Sequence, residues 1–109
     1  MSAAIEVLNN ADAGRFEATV DGHTAFAEYR VLASGVLFPH TEVPSTLEGR
    51  GVGSALVRAA LDFAREKELK VMPVCPFVAS WIRRHPEVHD LVHPDYRPAL
   101  GLPPAPPQT

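Results

Sequence analysis

Three glycines stand at alternate positions of the segment 49–54, which reads GRGVGS. Glycine allows tight turns and lets a ligand approach the backbone closely. Apolar residues recur with helical spacing from Val52 onward, so the loop leads into a helix start. The first amide N–H groups of a helix lack intrahelical partners and carry partial positive charge. The segment is therefore predicted to bind the phosphates of a nucleotide-like cofactor. Its candidate cofactor-binding residues are Gly49, Arg50, Gly51, Val52, Gly53 and Ser54.

The same glycines are also compatible with a purely structural turn. A Rossmann loop requires Gly-x-Gly-x-x-Gly inside a βαβ unit, whereas the spacing here is Gly-x-Gly-x-Gly after a predicted meander. A P-loop requires Lys before its Ser or Thr, and here Ser54 follows Gly53 directly. The loop fits neither of these two nucleotide-binding motifs, and an acyl-CoA cofactor remains as the candidate ligand.

His40 and Glu42 precede the loop and lie two residues apart on a predicted strand, so their side chains share a face. Acyl transfer to an amine requires the amine to be deprotonated. A neutral imidazole or a carboxylate near the thioester accepts that proton, directly or through water. Glu28, on the neighbouring predicted strand, is a further candidate. The alternative is a solvated sheet face of polar residues.

Cys75 ends a predicted strand just before a predicted helix start, where the helix dipole lowers the pKa of a thiol. This position suits a nucleophile or a redox-sensitive thiol. The alternative is a small, buried side chain that takes no part in chemistry, and we favour this alternative. The candidate catalytic residues are thus His40, Glu42 and Cys75.

Two further patterns are assigned no chemistry. His85, His89 and His93 recur every four residues, but prolines interrupt any single helix through them and no carboxylate completes a ligand set, so no metal site is predicted. Phe77 and Trp81 are four residues apart and are predicted to be core contacts.

The elements that must position these residues follow from periodicity and turn signals. Residues 5–13 show no clear period, and Asn9–Asn10 and Ala13–Gly14 are interpreted as turns. The predicted strands are Arg15–Val20, His23–Leu32, Val36–Val43 and Leu69–Cys75, and the predicted helices begin at Val52 and at Phe77. The fold class is α/β (α+β): a mostly antiparallel sheet with a meander, one central helix after the cofactor loop and a short C-terminal helix.

The composition limits the classes of partner. A net charge of −3 and the lack of a basic patch do not favour nucleic acid, and no apolar run reaches the length of a membrane span. A single cysteine fits a reducing, cytoplasmic location. Residues 1–97 are predicted to form one compact domain. Residues 98–109 contain five prolines and are predicted to be a disordered, dispensable tail.

Three segments occur in a defined order around the loop: HTEVP at 40–44, CPFV at 75–78 and RHPE at 84–87. With them the chain resembles the GCN5-related N-acetyltransferases over about residues 15–92, and most closely the very small NATD1-like (YjdJ-like) acetyltransferase domains. The superfamily motif is Arg or Gln, two residues, Gly, one residue, then Gly or Ala. Gly51 and Gly53 match it, whereas Glu48 departs from its first position.

This resemblance implies acetyl-CoA as the cofactor, with its pyrophosphate on the amides of Gly49–Ser54. It implies that the pantetheine arm pairs with the backbone of Thr41, Glu42 and Val43, in a wedge beside the strand that ends at Cys75. Many members use a tyrosine of the following helix as general acid, and this chain has none there. The acceptor pocket of larger members has no counterpart here, so the resemblance does not identify the acceptor.

The sequence therefore predicts an acetyl-CoA-binding N-acetyltransferase. Its unidentified acceptor, a small molecule or a protein, provides an amine that attacks the thioester directly, without a covalent intermediate on Cys75. The missing tyrosine motivates an alternative, a non-catalytic acyl-CoA-binding or regulatory module. A third hypothesis is an interaction domain without a cofactor.

Overall fold

The computed structural model describes residues 5–104. Its strands are β1 (Leu8–Asn10), β2 (Arg15–Val20), β3 (His23–Glu28), β4 (Arg30–Leu32), β5 (Gly35–Leu37), β6 (Thr41–Glu42) and β7 (Val71–Met72). The α-helices of this range are α1 (Val52–Glu66) and α2 (Pro76–Arg83). Short 3-10 turns span Ala11–Ala13, Ser45–Leu47, Pro86–Leu91, Pro94–Tyr96 and Pro98–Leu100.

The strands form two sheets. One has four antiparallel strands in the order β1-β2-β3-β6, and the other has three strands in the order β4-β5-β7. In the second sheet β5 pairs with β4 in antiparallel and with β7 in parallel orientation. The predicted α/β fold with a mostly antiparallel sheet is confirmed.

Two predicted strands are each divided between the sheets. The second breaks at Tyr29, whose N–H donates to the carbonyl of Gly14 (2.9 Å) and whose hydroxyl donates to Asn9 (2.8 Å). The third breaks across residues 38–40, where Pro39 has no N–H to offer a ladder. The chain therefore passes from one sheet to the other at both breaks.

Two predicted boundaries differ from the structure. Leu8–Asn10 forms β1 against β2, although the sequence predicts a turn at Asn9–Asn10. The three residues of β1 are mostly exposed and too few to show a period. They form a strand because they pair with β2. The predicted strand 69–75 is reduced to Val71–Met72, because Pro73 follows directly.

Helix α1 packs on the inner face of the four-stranded sheet. Its buried side includes Leu56, Ala60 and Ala64, which face a sheet surface rich in alanine, such as Ala25 and Ala27. Small residues on both sides allow a close approach of helix and sheet. The packing holds the start of α1 beside β6.

The segment from Pro98 differs from the expectation of a disordered tail, as far as residue 104. Pro98–Leu100 is a 3-10 turn, and Leu100 is only 5% exposed. The buried guanidinium of Arg97 donates to the carbonyls of His89 and Pro103. Two apolar residues, Leu100 and Leu102, pack on the core and outweigh the proline-rich composition. Residues 105–109 lie outside the described residues.

Along residues 5–104, the helices are all too short or too polar to cross a bilayer.

Candidate cofactor cleft

A cleft of about 590 Å³ opens at the start of α1, between β6 and the start of α2. It is lined by Thr41, Glu42, Val43, Leu47, Glu48, Gly49, Gly51, Val52, Gly53, Ser54 and Phe77. The structure thus brings together every predicted cofactor-binding residue except Arg50. Two segments separated in sequence, the β6 region and the glycine loop, form its opposite walls.

The glycine loop requires left-handed backbone at two positions. Gly49 has φ +78° and Gly51 has φ +80°, a region that residues with a side chain rarely adopt. Gly51 is the N-cap of α1, and its carbonyl accepts the first helical bond, from Ala55 N–H at 3.0 Å. Buried Leu47, just before the loop, anchors it to the core. Both glycines therefore set the direction in which the helix start points.

Five amide N–H groups of this loop have no acceptor among the described residues. They belong to Gly49, Gly51, Val52, Gly53 and Ser54. They lie at the positive end of a helix of 15 residues. Such a set of free donors fits the oxygens of a phosphate or pyrophosphate.

Side-chain charge contributes little to this arrangement. The charged side chains that line the cleft are acidic, Glu42 and Glu48. Arg50 turns away and pairs with Asp21 of the β2–β3 hairpin at 2.8 Å. The attraction for an anion therefore comes from the backbone, and Arg50 is the predicted site residue that does not line the cleft.

Ser54 lines the cleft, and its hydroxyl is engaged as an acceptor. It accepts a hydrogen bond from Trp81 Nε1 at 2.8 Å, and Trp81 is 1% exposed. The indole stacks on His85 with 3.6 Å between ring centroids. The hydroxyl accepts the bond from Trp81 and keeps its own hydrogen, so both the O–H and the backbone N–H of Ser54 can donate to a ligand.

Strand β6 is the edge of its sheet and faces the cleft. Glu28 N–H donates to the carbonyl of His40 at 2.8 Å. Because backbone groups alternate along an antiparallel pair, the N–H and C=O of Thr41 and Val43 point away from β3. An extended ligand can pair with this free edge.

His40 and Glu42 share a face, and their Nε2 and Oε2 atoms are 3.6 Å apart. Both side chains are more than half exposed, and only Glu42 lines the cleft. Glu28 lies beside His40 on β3. Further along the same face, a hydrogen bond from Arg15 holds the pKa of Glu17 below its ordinary value. Glu17 is therefore a poor proton acceptor, and His40 and Glu42 remain the base candidates nearest the cleft.

Cys75 lies behind the cleft rather than on its wall. Its thiol is buried and donates to Thr41 Oγ1 at 3.6 Å, across the gap between the two sheets. Its N–H donates to the carbonyl of Phe38 at 2.9 Å. Cys75 is therefore a small buried residue, and its thiol links β6 to the start of α2.

The three regularly spaced histidines do not converge. His85 Nδ1 bonds the carbonyl of Trp81, and His89 Nε2 bonds that of Ile82 at 2.8 Å. Over residues 5–104 no group of three or more His, Cys, Asp or Glu side chains is arranged to hold a metal ion.

Two lining residues were not predicted. Leu47 supports the loop, and Phe77, predicted as a core contact, is 41% exposed and forms a wall. Trp81 is the buried member of that pair. Pro76 begins α2, so Phe77 lies in the first turn of this helix. That this turn faces the glycine loop follows only from the packing of α2 beside α1.

Comparisons with known proteins agree with this architecture. A family model described as GCN5-related N-acetyl-transferase matches residues 15–91. The chain is 39% identical over 54 residues to protein NATD1 of Gallus gallus, covering 50% of this chain and 49% of that protein. It is 40% identical over 47 residues to protein NATD1 of Homo sapiens, covering 43% and 42%. The aligned segment thus spans less than half the length of these curated relatives.

A solved structure shares the fold. The NMR solution structure of a GCN5-like putative N-acetyltransferase from Staphylococcus aureus superposes with a TM-score of 0.65 at 27% identity, covering 81% of this chain and 87% of that one. The two proteins therefore share a small α/β fold. The chain belongs to the GCN5-related N-acetyltransferase family. Within that family, the aligned segment is similar to protein NATD1.

Proposed function

We propose that this protein binds acetyl-CoA in the cleft and catalyses transfer of the acetyl group to an amine. The observation that carries the proposal is the set of five free amides at the start of α1, next to the free edge of β6. The amides receive the pyrophosphate, and the backbone of Thr41 and Val43 aligns the pantetheine arm. Bound acetyl-CoA supplies the activated thioester.

The protein residues position the acceptor and remove its proton. In direct transfer, the amine nitrogen forms a bond to the acetyl carbon, the carbon–sulfur bond breaks, and the electron pair leaves with the CoA sulfur. The proton lost by the amine passes to His40 or Glu42, directly or through water. Glu42 lines the cleft, His40 precedes β6 on the same face, and the exposure of both side chains leaves the acceptor side open. Cys75 takes no covalent part, since its buried thiol faces Thr41.

One observation favours a second function, a non-catalytic acyl-CoA-binding module. Neither tyrosine of the chain lines the cleft: Tyr29 is buried with its hydroxyl on Asn9, and Tyr96 lies beside His93. No tyrosine is therefore placed to protonate the leaving thiolate.

The test combines binding and turnover. Calorimetric titration of CoA into the wild-type protein is expected to show one site, and release of free thiol from acetyl-CoA with a panel of primary amines is expected to show turnover. His40→Gln and Glu42→Gln separate the roles: loss of the general base lowers kcat by roughly 10²–10⁴-fold. His40→Gln leaves CoA affinity unchanged, because His40 does not line the cleft.

Each outcome selects one function. CoA binding without turnover on any amine supports the non-catalytic module. The absence of CoA binding by the folded protein contradicts both functions. Turnover that neither substitution lowers contradicts the assignment of the base.

A further inference from the structure

Phe77 occupies the space that a side chain would need at Gly53. A Cβ added at Gly53 would lie 2.6 Å from Phe77 Cζ, 3.2 Å from Phe77 Cε1 and 3.3 Å from Val43 Cγ2. Gly53 is inside α1, and its φ is not in the left-handed region, so the backbone itself does not require glycine. Contact with Phe77 supplies the reason for glycine at this position.

This contact gives the cleft two chemically different walls. Phe77 and Val43 contribute apolar surface, and the loop contributes amide donors. Phe77 is 41% exposed, so its ring is accessible to a ligand in the cleft. A ligand that joins phosphates to an extended, partly apolar arm satisfies both walls at once.

We propose that Phe77 is a ligand-binding residue for the arm that follows the pyrophosphate, and that Gly53 positions its ring. The proposal rests on the proposed function, because it assigns a contact to the same acyl-CoA ligand. The ring packs against the arm next to the pyrophosphate, while the amide of Gly53 faces the phosphate oxygens.

The contact between the two helices keeps the ring in this place. One turn after Phe77, buried Trp81 donates to the hydroxyl of Ser54 at 2.8 Å. Phe77 on Gly53 and Trp81 on Ser54 are thus successive contacts of α2 with the first turn of α1. The wall is formed before a ligand arrives, so little conformational freedom is lost on binding.

The first test compares two probes by calorimetry. CoA carries the arm, and 3′-phospho-ADP carries the same phosphates without it. Phe77→Ala is expected to weaken CoA binding by about tenfold, which corresponds to ~1.4 kcal/mol, and to change 3′-phospho-ADP binding by less than about twofold. Val74→Ala is the matched control, because Val74 is 52% exposed on the same connection but does not line the cleft.

The two possible failures of this test differ. A Phe77→Ala protein that binds CoA as tightly as wild type overturns the role of Phe77 and leaves the proposed function standing. A wild-type protein that binds neither probe overturns the proposed function and this role with it.

The second test is a double-mutant cycle on Gly53 and Phe77. Gly53→Ala displaces the flexible ring and is expected to weaken CoA binding about tenfold in the wild-type background and less than about twofold in the Phe77→Ala background. The melting temperature is expected to fall slightly, since the added methyl would lie 2.6 Å from Phe77 Cζ and the ring must move to make room. Equal losses in both backgrounds would show that Gly53 acts only through phosphate approach, and would overturn the proposed coupling.

Discussion

At the scale of single residues, the three glycines of the loop have two different tasks. Gly49 and Gly51 are needed for left-handed backbone, with open space where a side chain would stand. Gly53 has ordinary helical backbone but no room for a side chain. A substitution therefore strains the backbone at the first two positions and displaces a neighbour at the third.

Gly51→Val is expected to weaken CoA binding by roughly tenfold or more. The valine strains a backbone with φ +80°, and a shift of one or two amides loses charge-assisted hydrogen bonds worth about 1.5–3 kcal/mol each. Gly22→Val is the matched control, because Gly22 has φ +79°, similarly open space and a position in the β2–β3 hairpin.

Calorimetric titration of CoA, with circular dichroism to check folding, measures both variants. We expect the two variants to lose similar amounts of stability, and we expect Gly51→Val to lose more affinity for CoA than Gly22→Val. A folded Gly51→Val protein with wild-type affinity would remove the phosphate-binding interpretation of the loop.

Cys75→Ala is expected to retain CoA binding and a substantial share of turnover. The thiol is buried and its polar contact is a weak hydrogen bond to Thr41 at 3.6 Å, so its loss leaves no charged group without a partner. Turnover kinetics and intact-protein mass spectrometry after incubation with acetyl-CoA are the measurements. An acetyl adduct on Cys75, or loss of all turnover with binding intact, would contradict direct transfer.

At the scale of elements, the position of α1 depends on contacts at both of its ends. Trp81 holds its first turn through Ser54, and the ion pair between Arg65 and Asp90 holds its last turn to the 3-10 segment Pro86–Leu91. That pair is bidentate, with distances of 2.9 and 3.0 Å. Contacts at both ends of α1 therefore keep its first turn in place beside the cleft.

The Arg65–Asp90 pair is expected to make stability depend on acid pH. Hydrogen bonds from Arg65 lower the pKa of Asp90 below its ordinary value. A lowered pKa in the folded state contributes stability that is present above the unfolded value and is lost as the pH falls through the folded value. The effect is small, because both side chains are about half exposed or more.

Melting temperatures of wild type and Asp90→Asn between neutral and acid pH measure this contribution. The variant is expected to melt lower at neutral pH, and the difference is expected to shrink as the wild-type carboxylate becomes protonated. A difference that stays constant with pH would mean that the charge of Asp90 is not responsible.

At the scale of the whole molecule, the C-terminal segment completes the core. Leu100 is 5% exposed and packs near α2, and buried Arg97 binds two backbone carbonyls. The segment therefore packs on α2, where Arg83 also donates to the carbonyl of Ala99 at 3.3 Å. The composition alone indicates a solvated tail. Leu100 and Leu102 nevertheless pack on the core and make the first part of this segment a part of the fold.

Truncation after Arg97 is expected to destabilise the protein by about 2–5 kcal/mol, the range for loss of a buried leucine. Truncation after Pro104, which removes only residues outside the described range, is the matched comparison. Chemical denaturation of both proteins and of Leu100→Ala measures the effect. Equal stability of the two truncated proteins would contradict a structural role for Leu100.

The sequence by itself determined the elements whose signals are local. The alternation of residues 15–20, the Asp21–Gly22 turn and the helical period after Gly51 depend on neighbours within a few positions, and each appears in the structure. The glycine loop and the shared face of His40 and Glu42 are equally local, because a strand places residues two apart on the same side.

Only the tertiary structure decided how the strands divide and what the cleft walls are. Pro39 marks a break, but distant partners decide which strands pair on each side of it. The N–H of Phe38 donates to the carbonyl of Met72, and the carbonyl of His40 accepts from Glu28. Phe77 and Trp81 share one helical stripe, yet one lines the cleft and the other is core, because their different contacts with α1 are not encoded by periodicity. Burial and contact across the chain are properties of the packed whole, and a local pattern cannot specify them.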